Sequence, residues 1–198
     1  MLEQRIQEHF IESADLKYQS AQILARPISD AVQALLASIT SGGKILACGS
    51  GASAAHAQQF ATCCVAGFER ERPEFAAIAL CADGALLTVN AGGTDEPQQF
   101  ARQVRALGQA GDLLLVVSTT AADASVLSAV HAAHEREMTV VALTGRTGGN
   151  LATAVRETDV LICVPHDRAA RVREVHTLVI NCLCDGMDAQ LFGEQEIS

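Results

Sequence analysis

Three short segments combine small residues and hydroxyls at places where a strand pattern gives way to a helix pattern, and that combination suits an anion. The first is Gly49-Ser50-Gly51-Ala52-Ser53. Small residues let the backbone approach a ligand, and a helix start offers free N–H groups and the positive end of its dipole. The second, Ser118-Thr119-Thr120-Ala121-Ala122-Asp123, presents three consecutive hydroxyls suited to a phosphate. Asp123 works against that reading, because a carboxylate capping the next helix satisfies the free N–H groups and repels a phosphate. The third, Gly145-Arg146-Thr147-Gly148-Gly149, reads as a tight turn. The first segment also fits a loose G-x-G-x-x-A pattern, but a dinucleotide site needs an acid about 20 residues on. The strand-end acid here is Asp83, about 30 residues on, which argues against a dinucleotide.

Positioning such loops requires a sheet whose strands all end on one side. Five short apolar runs supply it: Ile45–Cys48, Ala76–Cys81, Leu113–Val117, Thr139–Thr144 and Val160–Val164. Each is continuously apolar or β-rich, and helical patterns separate them, which is how strands buried on both faces of a parallel sheet read. The expectation is a three-layer α/β/α fold of flavodoxin type, with five parallel strands and right-handed crossovers. Ligands then bind beyond the carboxyl ends of the strands. Two helices are expected before the sheet, over 2–22 and from about Ile28 to Ser41, and a last one from about Ala169 to Leu191. The whole chain reads as one domain: helices over 1–41, an α/β core over 44–192 and a polar tail over 193–198. The first helix carries an apolar stripe of its own, and one layer of helices per face leaves it no place, so it is expected to pack on another subunit.

Composition narrows the function. The 198 residues include 14 Lys+Arg against 23 Asp+Glu, a formal net charge of −9, with 49% apolar residues and 4% aromatics. The apolar fraction excludes a disordered chain. The acidic balance argues against direct binding to duplex nucleic acid, and the scarcity of aromatics against a base-stacking platform. The seven cysteines form no CxxC pair, and Cys182-x-Cys184 is too close for a usual zinc pattern, so they read as core thiols and no cofactor is expected. The segment MLEQRIQEHF lacks an apolar core for a secretory signal, and no apolar stretch reaches the ~18 residues a membrane span needs. A soluble, cytoplasmic protein is expected.

Four segments together resemble the sugar isomerase (SIS) domain family over essentially the whole chain. They are ILACGSGASAAHAQQFA from Ile45, GDLLLVVST from Gly111, VVALTGRTGG from Val140 and RVREVHTLVINCLCD from Arg171. The match is to the phosphoheptose isomerase branch. Within it, RALGQAGDLLL, PHDRAARVREVH, INCLCD and Gln190-Leu191-Phe192 resemble the initiator-associating, DiaA-type members, which bind the replication initiator DnaA.

The isomerase branch converts sedoheptulose 7-phosphate and, by resemblance, carries a metal on His and Glu of the first-loop helix and Gln and His of the last helix. HFAEE of those enzymes reads Gln59-Phe60-Ala61-Thr62-Cys63 here, so His is replaced by Gln59 and the second Glu by Cys63. QEIHxxxxH reads Arg173-Glu174-Val175-His176 and ends at Asn181, so Gln is replaced by Arg173 and the second His by Asn181. An Asn-Asp pair looks like Gly92-Gly93 here. Glu174 and His176 remain as residual candidates for acid–base work, though both also fit a helix flank at a subunit interface.

On this count no metal and no catalytic residue are expected. The phosphate cradle is half kept: Ser53, Ser118 and Thr119 match the family, and Thr120 retains a hydroxyl. The expected function is therefore a non-catalytic, homotetrameric scaffold for DnaA. Leu191 and Phe192 form its partner surface, and a weak sugar-phosphate pocket remains. The alternatives are a sedoheptulose 7-phosphate isomerase and a sugar-phosphate-binding regulatory protein.

Overall fold

The computed structural model describes residues 1–88, 98–120 and 122–194. Five strands, β1 (Ile45–Gly49), β2 (Ala77–Ala79), β3 (Leu113–Val117), β4 (Thr139–Gly145) and β5 (Val160–Val164), form one parallel sheet in the order β2-β1-β3-β4-β5. Every residue of β1 and β3 is buried, as their unbroken apolar sequences require. Neighbouring strands run in register, with Gly49 beside Val117 and Val117 beside Leu143, so their carboxyl ends form one rim.

The helices are α1 (Leu2–Thr40), α2 (Ala52–Ala66), α3 (Gly84–Thr88), α4 (Gln99–Leu107), α5 (Ala124–Glu135), α6 (Gly149–Ala154) and α7 (Ala169–Phe192). One face of the sheet is covered by α1, α2 and α7 packed together, the other by α4, α5 and the short α6. This is the three-layer arrangement expected. No helix among the described residues is long and apolar enough to cross a membrane.

The N-terminal region differs from its sequence reading. Instead of two helices, α1 is one helix of 39 residues, roughly 58 Å long, with Pro27 inside it. Proline removes one backbone donor. The stripe Leu16, Leu24, Val32 and Leu35 continues through it, however, and packs against the rest of the fold, which holds both halves on one axis. Residues before Leu16 contribute nothing to the core and leave Leu2, Ile6, Phe10 and Ile11 exposed. The second strand is also shorter than the run Ala76–Cys81. Its residues pair only with β1, and the chain turns after Ala79, with Asp83 capping α3 by accepting from the N–H groups of Ala85 and Leu86.

At the amino ends of β1 and β3, Asp112 is the tie. Its carboxylate accepts from the Lys44 N–H at 2.9 Å, the Gln109 N–H at 2.9 Å and the Lys44 ammonium at 2.5 Å. Burial acts to raise its pKa, but the hydrogen bonds from Lys44 and Gln109 outweigh it and hold the carboxyl below its ordinary value. Asp112→Ala is expected to destabilise the fold by about 2–3 kcal/mol in denaturant titration, because charge-assisted bonds are lost and two N–H groups are left over. Asp112 stabilises the fold at neutral pH, and that contribution disappears as pH falls below the ordinary 3.8 and through the lowered folded value. The variant's stability should lack that part of the acid dependence.

Candidate functional site

The rim at the carboxyl ends of β1, β3 and β4 collects the residues singled out from the sequence. Ser53 lies buried in the first turn of α2, Ser118 is buried at the end of β3, Thr119 is half-buried and Thr120 exposed. The β1 and β3 loops are joined by a 3.1 Å hydrogen bond between the Ser50 and Ser125 hydroxyls. Gly49 makes the approach possible: a Cβ there would stand 2.8 Å from both the Ser53 and the Val117 carbonyl oxygens. The two helix starts differ. Asp123 caps α5, accepting from Ser125 and Val126 N–H and from the Ser125 hydroxyl at 2.6 Å, so that end is already satisfied. Gly51, with φ +56, precedes α2 and supplies no side-chain cap; the Ser53 and Ala54 N–H groups donate instead to the Ser50 and Gly51 carbonyl oxygens at 3.0 and 3.1 Å. Gly92, Gly93 and Ala121 lie outside the described residues.

Below the rim, α2 packs along α7 in a seam. His56 Nε2 lies 3.1 Å from both the Arg173 carbonyl oxygen and the Thr177 hydroxyl. One turn on, the Gln59 amide donates to Asn181 Oδ1 at 3.2 Å. At the far end Arg72, whose side chain is 1% exposed, donates from Nε to Asp188 at 2.6 Å and from its two amino groups to the carbonyls of Cys64 and Cys63. Its guanidinium lies 3.7 Å from the Phe75 ring centroid. Neither Arg72 nor His56 was singled out from the sequence. Arg72 belongs to Glu69-Arg70-Glu71-Arg72, which reads as a solvated charge run, whereas the three-residue spacing from Ser53 to His56 was a usable signal.

The residual candidates Glu174 and His176 are separated. His176 is fully buried, its Nε2 bound to the Thr144 carbonyl oxygen at 3.2 Å and its ring edge-on to His56. Burial, with the nearby His56 adding to it, outweighs the bond to Thr144 and pushes the imidazole down to about 4. Glu174 instead faces α1, paired with Arg171 at 2.9 Å, at a groove shared with His9, Phe10 and Lys17. Leu191 and Phe192 end α7. The Phe192 ring stacks on Phe75 at 6.2 Å under the Arg70 guanidinium, so it also closes the molecule's own C-terminal end.

The metal that the resemblance implies does not fit this seam. Gln59 and Asn181 already satisfy one another, Arg173 is a cation, and burial, with Cys184 beside it, pushes the Cys63 thiol up to about 11. Among the described residues no group of three His, Cys, Asp or Glu side chains stands close enough to hold an ion.

A sheet of order 2-1-3-4-5 with a hydroxyl rim, preceded by a long helix, defines a class: residues 9–145 match the SIS domain model, and the chain belongs to that family. Its relatives narrow the branch. A phosphoheptose isomerase of Methylibium petroleiphilum is 57% identical over 198 residues, covering 100% of this chain and 99% of the relative. One of Azoarcus sp. is 50% identical over 192 residues, covering 97% and 98%. The solved phosphoheptose isomerase of Neisseria gonorrhoeae superposes with a TM-score of 0.90 at 44% identity, covering 96% of this chain and 100% of that one.

These relatives overturn the non-catalytic reading. The expectation of a DnaA scaffold rested on replaced ligand positions and a few short segments, whereas the full-length similarity is to proteins named as isomerases. The enzyme reading, the alternative from the sequence, takes its place.

The His176 geometry has a measurable consequence. Its folded pKa lies below its unfolded one, so the neutral ring supports the fold above pH 6.5, and that support is lost as pH falls from 6.5 to about 4. A difference of that size amounts to roughly 3 kcal/mol. His176→Gln, neutral at every pH, should flatten the stability profile across that window in urea titrations at stepped pH.

Proposed function

We propose that this chain is a sugar-phosphate isomerase acting on a phosphorylated heptose, with sedoheptulose 7-phosphate as the ketose. The observation that carries the reading is the 57% identity to a phosphoheptose isomerase over the full chain. The rim supports it. Hydroxyls of Ser53, Ser118, Thr119 and Thr120, beside the start of α2, are donors of the kind a phosphate requires. Aldose–ketose exchange then needs a group that moves a proton between neighbouring carbons. His176 is sealed in the core. Glu174, with 36% of its side chain exposed in the groove beside α1, is the titratable side chain of that helix turn left for the role. A coupled assay with sedoheptulose 7-phosphate should register turnover, and Glu174→Gln should lower kcat by about 100-fold or more. Absence of turnover in the unmodified protein would end the reading.

The assembly we propose is a homo-oligomer, a tetramer by the same resemblance. Supporting it, α1 exposes Leu2, Ile6, Phe10 and Ile11 on a helix whose first four turns meet little of their own fold. Sedimentation velocity at micromolar concentration should give a species larger than 20.8 kDa, and a monomer there would exclude the oligomer.

A further inference from the structure

Three residues of α2, His56, Gln59 and Cys63, meet α7 in order. Their spacing of three and then four residues keeps them on one helical stripe. His56 reaches the Arg173 carbonyl oxygen and the Thr177 hydroxyl, Gln59 reaches Asn181, and Cys63 has Cys184 beside it. The two helices therefore mesh turn by turn. Gln59, Cys63, Arg173 and Asn181 are the positions to which the resemblance assigns a metal, and the middle contact of the mesh joins two of them directly. The Gln59 amide nitrogen is a donor only, and Asn181 Oδ1 is occupied in accepting from it at 3.2 Å.

Charge argues the same way. A divalent ion between two packed helices needs anionic ligands to balance it, because a buried charge without a partner is costly. The helix α2 contains no Asp or Glu. On α7, Glu174 is turned to Arg171 and the α1 groove, and Asp188 is bound by Arg72. Asp185 lines a separate hollow with Phe68 and Arg70. We infer that the Gln59–Asn181 pair stands in the ion's place, an amide clasp joining α2 to α7 across a seam that takes no divalent metal. The register of α2 against α7 is then set by a hydrogen bond and does not depend on metal supply. Turnover without a metal ion follows for the isomerase proposed above, and that part alone rests on the isomerase reading.

The test uses the full chain stripped with EDTA, with cobalt(II) as the probe because its visible absorption reports its ligands. Gln59→Ala and Asn181→Ala should each lower the melting midpoint by about 2–4 °C, and the double substitution should cost no more than one of them. Any cobalt the wild type takes up should be held equally well by both variants. Cobalt binding weakened about tenfold or more by either substitution overturns the inference, and so do melting shifts that simply add. Combining Gln59→His, Cys63→Glu, Arg173→Gln and Asn181→His restores the residues the resemblance gives the seam, and should gain about one equivalent of cobalt. A folded combination that binds no more than wild type overturns the inference; if it does not fold, wild type against Asn181→Ala decides. Turnover of sedoheptulose 7-phosphate should be the same in the stripped chain and after zinc is added back. Turnover that appears only with added zinc overturns the inference and leaves the isomerase reading standing. A chain inactive under both conditions ends the isomerase reading, and the melting and cobalt results still decide the clasp.

Discussion

The buried guanidinium of Arg72 is the fastening on which the site depends. A charge sealed from water is tolerable only if its donors are matched, and here a carboxylate, helix carbonyls and an aromatic face match them. The carbonyls are those of Cys63 and Cys64 near the end of α2, where the dipole favours a cation. The carboxylate is Asp188, late in α7. One side chain thus pins the carboxyl ends of both helices. Their amino ends follow β1 and β5, and the short polar contacts of His56 and Gln59 set the rotation of one helix against the other.

The two ends of the sheet divide the work. At the amino ends Asp112 ties loops with a carboxylate whose partners are all backbone or Lys44, a closed arrangement with nothing left for a ligand. At the carboxyl ends the polar groups are mostly hydroxyls, those of Ser53, Ser118, Thr119 and Thr120. Between the two ends β1 and β3 are wholly apolar.

Much of this was legible in the sequence. All five apolar runs fall on strands, because strands buried on both faces need continuous apolar side chains. The strand β2 was overread at its end: Leu80 still donates its N–H to the Ala47 carbonyl oxygen of β1 at 2.8 Å, but the chain turns there and Cys81 is buried outside the ladder, which apolarity alone cannot distinguish. The two helices expected over 2–22 and from about Ile28 are one, because tertiary burial of Leu24 and Val32 outweighs the one donor missing at Pro27. The placing of Ser53 and Ser118 beyond the carboxyl ends of β1 and β3 was readable from the small and hydroxyl residues that follow each apolar run. Arg72 was not, because its partners Cys63, Cys64 and Asp188 have no common spacing with it. The reading of lost chemistry rested on four positions, Gln59, Cys63, Arg173 and Asn181, and the similarity that overturns it runs over the full chain.

One contact in the helical layer sets a length scale. An added Cβ on Gly186 of α7 would stand 2.8 Å from Val32 of α1, so Val32 occupies the space that glycine leaves. Elsewhere the two helices meet across an apolar groove lined by Leu24, Ile28, Val175 and Val179, a smooth surface along which one rod could slide over another. The notch at Gly186 acts as an index mark on that track. A shift of one turn, about 5.4 Å, would bring Ile28 or Leu36 to a gap sized for valine, and every polar partner along α7 would miss its mate.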